Sequence, residues 1–156
     1  MNIKIIAVGK IREKYLKDGI AEFIKRVQPY SSLKVIEIPP ENIYSDSEVD
    51  KILDTEAEKI IKNINEDSYV IVMDIKGKKL SSEEFAEKIN SISLNGINQL
   101  VFIIGGAEGL SDKIKNRADF LLSMSDMTFV HQMARLLLVE QIYRAFKILK
   151  NEPYHK

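Results

Sequence analysis

Short apolar runs alternate with longer amphipathic ones along this chain, and that alternation limits what it can fold into more than any other feature. Residues 3–8, 33–38, 69–73, 100–104 and 120–124 read as strands. Residues 12–27 read as a helix with Tyr15, Ile20, Phe23, Ile24 and Val27 as its apolar stripe, and residues 45–63 as a charged helix with Val49, Ile52, Leu53, Ile60 and Ile61 on its apolar side. Ser81, followed by Glu83 and Glu84, has the look of an N-cap with acids in the first turn, opening a helix that runs to about Ile92. A short helix is expected over 111–115 and a long one over 131–149. Strands alternating with helices predict an α/β domain, with a mostly parallel sheet covered by helices on both faces. At 156 residues the chain is expected to form a single domain spanning 1–156. Pro39-Pro40 stops the second strand, and residues 39–44 read as a loop rather than a domain boundary.

In sheets of this kind, ligands bind outside the carboxyl ends of the strands. That directs attention to the segments after Met73, Ile104 and Met124. The fourth strand runs straight into Gly105-Gly106-Ala107-Glu108-Gly109, a loop in which glycine permits sharp bends and close approach of a ligand to the backbone. Its spacing is not the G-x-G-x-x-G of dinucleotide folds and does not end in the Gly-Lys-Ser/Thr of a phosphate loop. A tight turn at a helix start is the plainer alternative. The segment Ser123-Met124-Ser125-Asp126-Met127-Thr128-Phe129 interleaves small polar residues with soft apolar ones, a composition suited to a flat ring with hydrogen-bonding edges. Its plainer alternative is a capping turn in which Ser125, Asp126 or Thr128 satisfies the next helix's free N–H groups.

The last helix carries His131 and Arg135 on one face, four residues apart, and has apolar residues around much of its circumference, which implies burial on more than one side. Arg135 and Arg144 suit phosphate contacts, although an arginine on a helix is most often a solvated charge. The chain ends in Pro153-Tyr154-His155-Lys156. Such a tail is disordered by default. It nevertheless combines a ring that stacks, a group that moves protons near neutral pH and a cation.

Composition excludes several classes. There is no cysteine, so disulfides and thiolate metal sites are ruled out. With two histidines and no close carboxylate–histidine pattern, no metal is expected. No apolar run approaches the roughly 18 residues of a membrane span, and the apolar start is too short for a secretory signal. A cytoplasmic protein with no membrane partner is expected. The 23 basic and 23 acidic residues balance, unlike the strong positive charge of most nucleic-acid binders. The charges are unevenly placed. Residues 1–34 carry 8 basic and 3 acidic side chains and residues 131–156 carry 5 and 2, while residues 37–68 carry 3 and 10. If the two ends meet, they form a basic face for phosphates. Solvated helix faces are the plainer reading.

The motifs, in their order and spacing, resemble the RlmH family of ribosomal large-subunit methyltransferases, part of the SPOUT superfamily. The resemblance covers essentially the whole chain. It opens with Ile5-Ile6-Ala7-Val8-Gly9-Lys10 and continues through Val101-Phe102-Ile103-Ile104-Gly105-Gly106-Ala107-Glu108-Gly109-Leu110. It then runs through Met127-Thr128-Phe129-Val130-His131-Gln132-Met133-Ala134-Arg135 and Glu140-Gln141-Ile142-Tyr143-Arg144-Ala145-Phe146-Lys147-Ile148 to the tail Pro153-Tyr154-His155-Lys156. Val130 departs from the pattern, since many relatives place proline before the histidine.

The resemblance implies a deep trefoil knot in the C-terminal half, which the strand pattern does not show and which general experience of folds argues against. It implies a homodimer with each active site at the subunit interface. It implies S-adenosylmethionine as cofactor, contacted at Met73, Gly105 and Met124, Ser125, Asp126, Met127, Thr128 and Phe129. The implied reaction is methylation of N-3 of a pseudouridine in 23S ribosomal RNA within the assembled ribosome. His155, Tyr154, His131 and Arg135 are the catalytic candidates, and Arg135, Arg144 and Lys156 the RNA-binding ones. Rival readings are a noncatalytic ribosome-binding or assembly factor with the same fold, a nucleotide-dependent oxidoreductase, and a related methyltransferase of transfer RNA. Binding of S-adenosylmethionine separates the first rival from an enzyme, and the lone Gly9 after the first strand argues against the second.

Overall fold

A computed structural model describes residues 1–42 and 44–156; Ile43, inside the loop expected at 39–44, lies outside the described residues. In chain order the elements are β1 (Asn2–Val8), α1 (Lys14–Val27), β2 (Ser32–Ile38), a 3-10 turn (Asp46–Glu48), α2 (Val49–Ile61), β3 (Tyr69–Lys79), α3 (Ser82–Leu94), β4 (Gln99–Ile104), α4 (Asp112–Arg117), β5 (Phe120–Ser123) and α5 (His131–Leu149). The strands form one sheet of order β2-β1-β4-β3-β5. Every pairing is parallel, so all carboxyl ends lie along one edge.

Both sheet faces are covered, which is why β1 and β4 read as nearly unbroken apolar runs. Ile3, Ile5, Ala7, Leu100, Phe102 and Ile104 face a core shared with α1, α3 and α5. Ile6, Val8, Val101 and Ile103 face a smaller one closed by Ala57 and Ile60 of α2 and Ile114 of α4. Helix α5 lies against the sheet with α1 on one flank and α3 on the other. Its ring of apolar residues is accounted for largely by that three-sided packing.

Two elements differ from the sequence reading for physical reasons. The helix expected from Ser45 begins as the 3-10 turn and becomes α-helical only at Val49. Strand β3 is longer than the apolar run 69–73: it pairs Met73 with Leu122, leaves the ladder over residues 74–77, and rejoins with Lys78 again opposite Leu122 and Lys79 opposite Ser123. The returning half is polar, so hydrophobic patterning does not mark it. Gly77 permits the excursion, because a Cβ there would stand 2.7 Å from the backbone carbonyl of Leu121 and the carbonyl carbon of Leu122. Helix α3 starts as expected, with Ser81 accepting from the Glu84 N–H and the Glu84 carboxylate accepting from the Ser81 N–H.

Gly77→Ala is therefore expected to destabilise the fold by about 3 kcal/mol, because the obstructing atoms are backbone. Gly96→Ala, at φ +80° but with nothing within 4 Å of the added methyl, is expected to cost about 1 kcal/mol. Urea midpoints of the two variants check the difference.

Candidate functional site

The excursion within β3 and the loops after β4 and β5 converge on one cavity of about 910 Å³ at the carboxyl edge of the sheet. This lies within the roughly 300–1,000 Å³ of small-molecule sites. Met73, Gly105, Met124, Ser125, Met127, Thr128 and Phe129 all line it. Asp126 is placed differently: its carboxylate is 82% exposed and accepts from Lys79 Nζ at 2.5 Å. The first turn of α5 adds His131, Gln132 and Ala134, and α1 adds Tyr15 and Leu16.

The β4 loop is shaped by its glycines. Gly105 lies so close to the returning chain that a Cβ would stand 2.6 Å from the Gly109 carbonyl oxygen. Gly109 closes the turn at φ +83°, its N–H donating to the Gly106 carbonyl at 3.1 Å. The segment forms the tight turn of the plainer reading, and Gly105, Gly106 and Gly109 of that turn line the cavity. The capping-turn reading of the next loop is corrected. Ser125 Oγ accepts from the Met127 N–H at 3.0 Å, whereas α5 begins at Val130 without a side-chain cap among the described residues.

Arg135 holds the start of α5 instead. Its side chain is 1% exposed, with one terminal nitrogen 2.7 Å from Glu37 Oε1 and the other 3.0 Å from the Gly9 carbonyl. It does not reach the cavity or solvent. That corrects its assignment to catalysis and to RNA phosphates: a guanidinium so enclosed and engaged is a brace. His131, one turn earlier, does face the cavity, and its Nε2 would meet a Cβ on Gly9 at 3.6 Å. Burial first, and the Arg135 charge second, hold the imidazole below its ordinary value of 6.5. It is therefore neutral near pH 7, the form that accepts a proton.

The tail is packed at the other end of α5. His155 Nε2 lies 2.7 Å from Glu83 Oε1 and its Nδ1 3.3 Å from Arg144. Arg144 also binds Glu140 through its Nε and a terminal nitrogen, and covers the Tyr154 ring at 4.7 Å. The Tyr154 hydroxyl donates to Glu140 at 2.9 Å, and its ring meets Tyr143 edge-on at 4.8 Å. The Glu83 carboxyl is held down to about 2 by its own backbone N–H, by His155 and by Ser81. The expectation of a disordered tail is corrected by this network. Lys156 is exposed at the chain end. Arg144 lies about 20 Å along the helix axis from His131, at about 1.5 Å per residue. Within one chain the catalytic candidates His131 and His155 are thus far apart.

The two basic ends do meet, α1 lying along α5, but many of their charges are paired: Lys14 with Asp18, Arg26 with Glu22, Arg144 with Glu140 and Lys147 with Glu152. Sequence reasoning missed Asp74 and Lys115, which line the cavity as an ion pair at 3.0 Å. Asp74 had a positional signal, following Met73 at a strand end; Lys115 had none. Among the described residues no group of three or more metal-ligating side chains occurs, and no helix is long and apolar enough to cross a membrane.

A parallel α/β sheet with a glycine-walled cavity at its carboxyl edge defines a small-molecule-binding α/β domain. Comparison sharpens this, for residues 1–155 match the family described as Predicted SPOUT methyltransferase. The ribosomal RNA large subunit methyltransferase H of Carboxydothermus hydrogenoformans is 54% identical over 159 residues, covering 100% of both chains. That of Clostridioides difficile is 53% identical over 160 residues, again covering 100% of both. A probable methylase family protein from Haemophilus influenzae shares the fold at TM-score 0.56 and 17% identity, over 99% of this chain and 70% of that one. The chain belongs to the SPOUT methyltransferases and, within them, to the ribosomal RNA large subunit methyltransferase H family.

The depressed His131 has a consequence for stability. Its folded value lies below its unfolded one, so protons bind preferentially to the unfolded chain. Stability is complete above the unfolded value and is lost as pH falls below it. Between about pH 7.5 and about pH 5.5, His131→Gln is expected to lose less stability than the parent protein, as thermal midpoints will register.

Proposed function

We propose that this protein is a homodimeric, cytoplasmic enzyme that methylates N-3 of a pseudouridine in 23S ribosomal RNA of the assembled ribosome, using S-adenosylmethionine. The observation that carries the reading is the convergence of the β3 excursion and the loops after β4 and β5 on one cavity at the carboxyl edge of the sheet. Met73, Leu122, Met124, Met127 and Phe129 supply soft apolar surface in it. These residues fit an adenosyl group. When bound, S-adenosylmethionine supplies a methyl already activated by its sulfonium. The relatives' names specify large-subunit ribosomal RNA as what they act on.

The chain's own task is to orient the acceptor base, exclude water and take up the imide proton. Neutral His131 at the cavity and His155 in the tail are the groups available for that proton. Tyr154 and Arg144 are the groups in this reading that would hold a base and its phosphate, on release from Tyr143 and Glu140. The reading also carries a C-terminal trefoil knot; the close crossing of Gly77 over the β5 backbone is compatible with it.

A second subunit answers the separation of His155 from the cavity. Tyr15 is 65% exposed, Met127 75%, Val130 68% and Phe129 40%, all at the cavity mouth, and such a patch favours a partner surface. A twofold axis midway between cavity and tail, crossing α5 near its middle, sets the two α5 helices in opposite senses and lays the tail of one chain over the exposed patch and cavity of the other.

The decisive measurement is mass spectrometry of ribosomal RNA from a strain lacking the protein. One methylated pseudouridine is expected to vanish and to return on complementation; an unchanged pattern overturns the reading. Shared sites have their own test. Thr128→Arg, which fills the cavity from an exposed position, is expected to abolish donor binding and His155→Ala to lower turnover about a hundredfold. Mixing the two inactive subunits is expected to restore about a quarter of parental activity, because half of the reassorted dimers carry one intact site. No restoration would place tail and cavity of each site in the same chain.

A further inference from the structure

The cavity wall contains a charged pair that neither the fold nor the chemistry of methyl transfer has used so far. Asp74 opens the excursion in which β3 leaves its ladder, and Lys115 lies on α4. The Asp74 side chain is only 10% exposed. One of its oxygens accepts from the Lys76 N–H at 2.8 Å, and the other lies 3.0 Å from Lys115 Nζ. Burial opposes the charge, but the Lys76 N–H and Lys115 outweigh it, so the carboxyl titrates below its ordinary range.

The pair is not needed to fasten α4 to β3. The Val70 N–H donates to Asp119 Oδ2 at 2.7 Å, the Asp119 N–H donates to the Val70 carbonyl at 2.9 Å, and Arg117 reaches the Ser68 carbonyl at 3.1 Å. Those bonds already join the end of α4 to the start of β3. A partly buried ion pair adds little net stability of its own, because desolvating the charges offsets their attraction. Four residues of excursion nevertheless place this pair in the wall of the cavity.

We propose that Asp74 and Lys115 together recognise the amino-acid end of the methyl donor, Asp74 receiving its ammonium and Lys115 its carboxylate. The inference rests on the donor reading given above. An α-amino acid presents opposite charges on one carbon, and a carboxylate and an ammonium 3.0 Å apart present the complementary pair. A ribose diol, the other polar part of the donor, carries no charge and would leave both formal charges of the pair without a counter-charge. Met124, Met127, Thr128 and Phe129 are left for the adenosyl part.

Two thioethers isolate this contact. S-adenosylhomocysteine and 5′-methylthioadenosine share adenine, ribose and a neutral sulfur, and differ only in the amino-acid end. Calorimetry on the full chain is expected to show the parent protein binding the first more tightly. Asp74→Asn and Lys115→Gln are each expected to weaken S-adenosylhomocysteine about tenfold while leaving 5′-methylthioadenosine within about twofold. Lys115 is 36% exposed on a helix, so its substitution leaves the core untouched and keeps the test valid if Asp74→Asn folds poorly. Equal losses for both ligands, or no loss for either, overturn the inference while the donor reading stands. A parent protein that binds the two ligands equally does the same. A parent protein that binds neither overturns the donor reading and this inference with it.

Discussion

Arg135 is the interaction on which the arrangement of the site depends. Among the described residues no side chain caps α5 at Val130, and its first turn is tied to the rest of the fold only by the long contact from the Arg12 N–H to Gln132 Oε1 at 3.4 Å. The guanidinium of Arg135 anchors that end of the helix from inside, through the Gly9 carbonyl at the end of β1 and Glu37 in β2. Glu37 Oε1 also accepts from the Ile11 N–H, so the same carboxylate ties down the loop into α1. One buried cation thereby joins two strand ends, a loop and the helix that carries His131 into the cavity. Its Nε has no partner among the described residues, and its burial is tolerable because the two terminal nitrogens are both engaged.

The opposite end of α5 is organised by a different principle. Tyr30 stacks on Phe146 at 5.6 Å and donates to Glu152, which also binds Lys147. Asn151, at φ 52°, turns the chain there, and the tail then lies back over Tyr143, Arg144 and Glu140. A helix braced at one end and carrying an ordered tail at the other separates two sets of reactive groups by most of its length. That separation, more than any single residue, is what makes a partner subunit part of the functional reading.

Parallel strands supply the rest. Because all five carboxyl ends fall on one edge, three loops far apart in sequence meet without any strand having to reverse. The β3 excursion extends the cavity wall by turning a polar stretch into lining, and Gly77 makes room for it beneath β5.

Much of this was legible in the chain itself. Apolar runs, helical stripes and the Ser81 cap placed every strand and helix, with ends differing by a few residues except at β3, whose polar returning half carries no apolar pattern. The three post-strand loops and their glycines could be named as a site because strand ends on a parallel sheet must lie together. What the sequence did not determine is where its charges go. Arg135 read as a group for phosphate and became a buried brace; Asp126 read as lining and went to Lys79; Asp74 and Lys115, unremarkable in the chain, met in the cavity wall. Hydrophobic periodicity is set within a dozen residues, whereas the partner of a charge is chosen by whatever the finished fold brings within about 4 Å, and only the tertiary structure decides that.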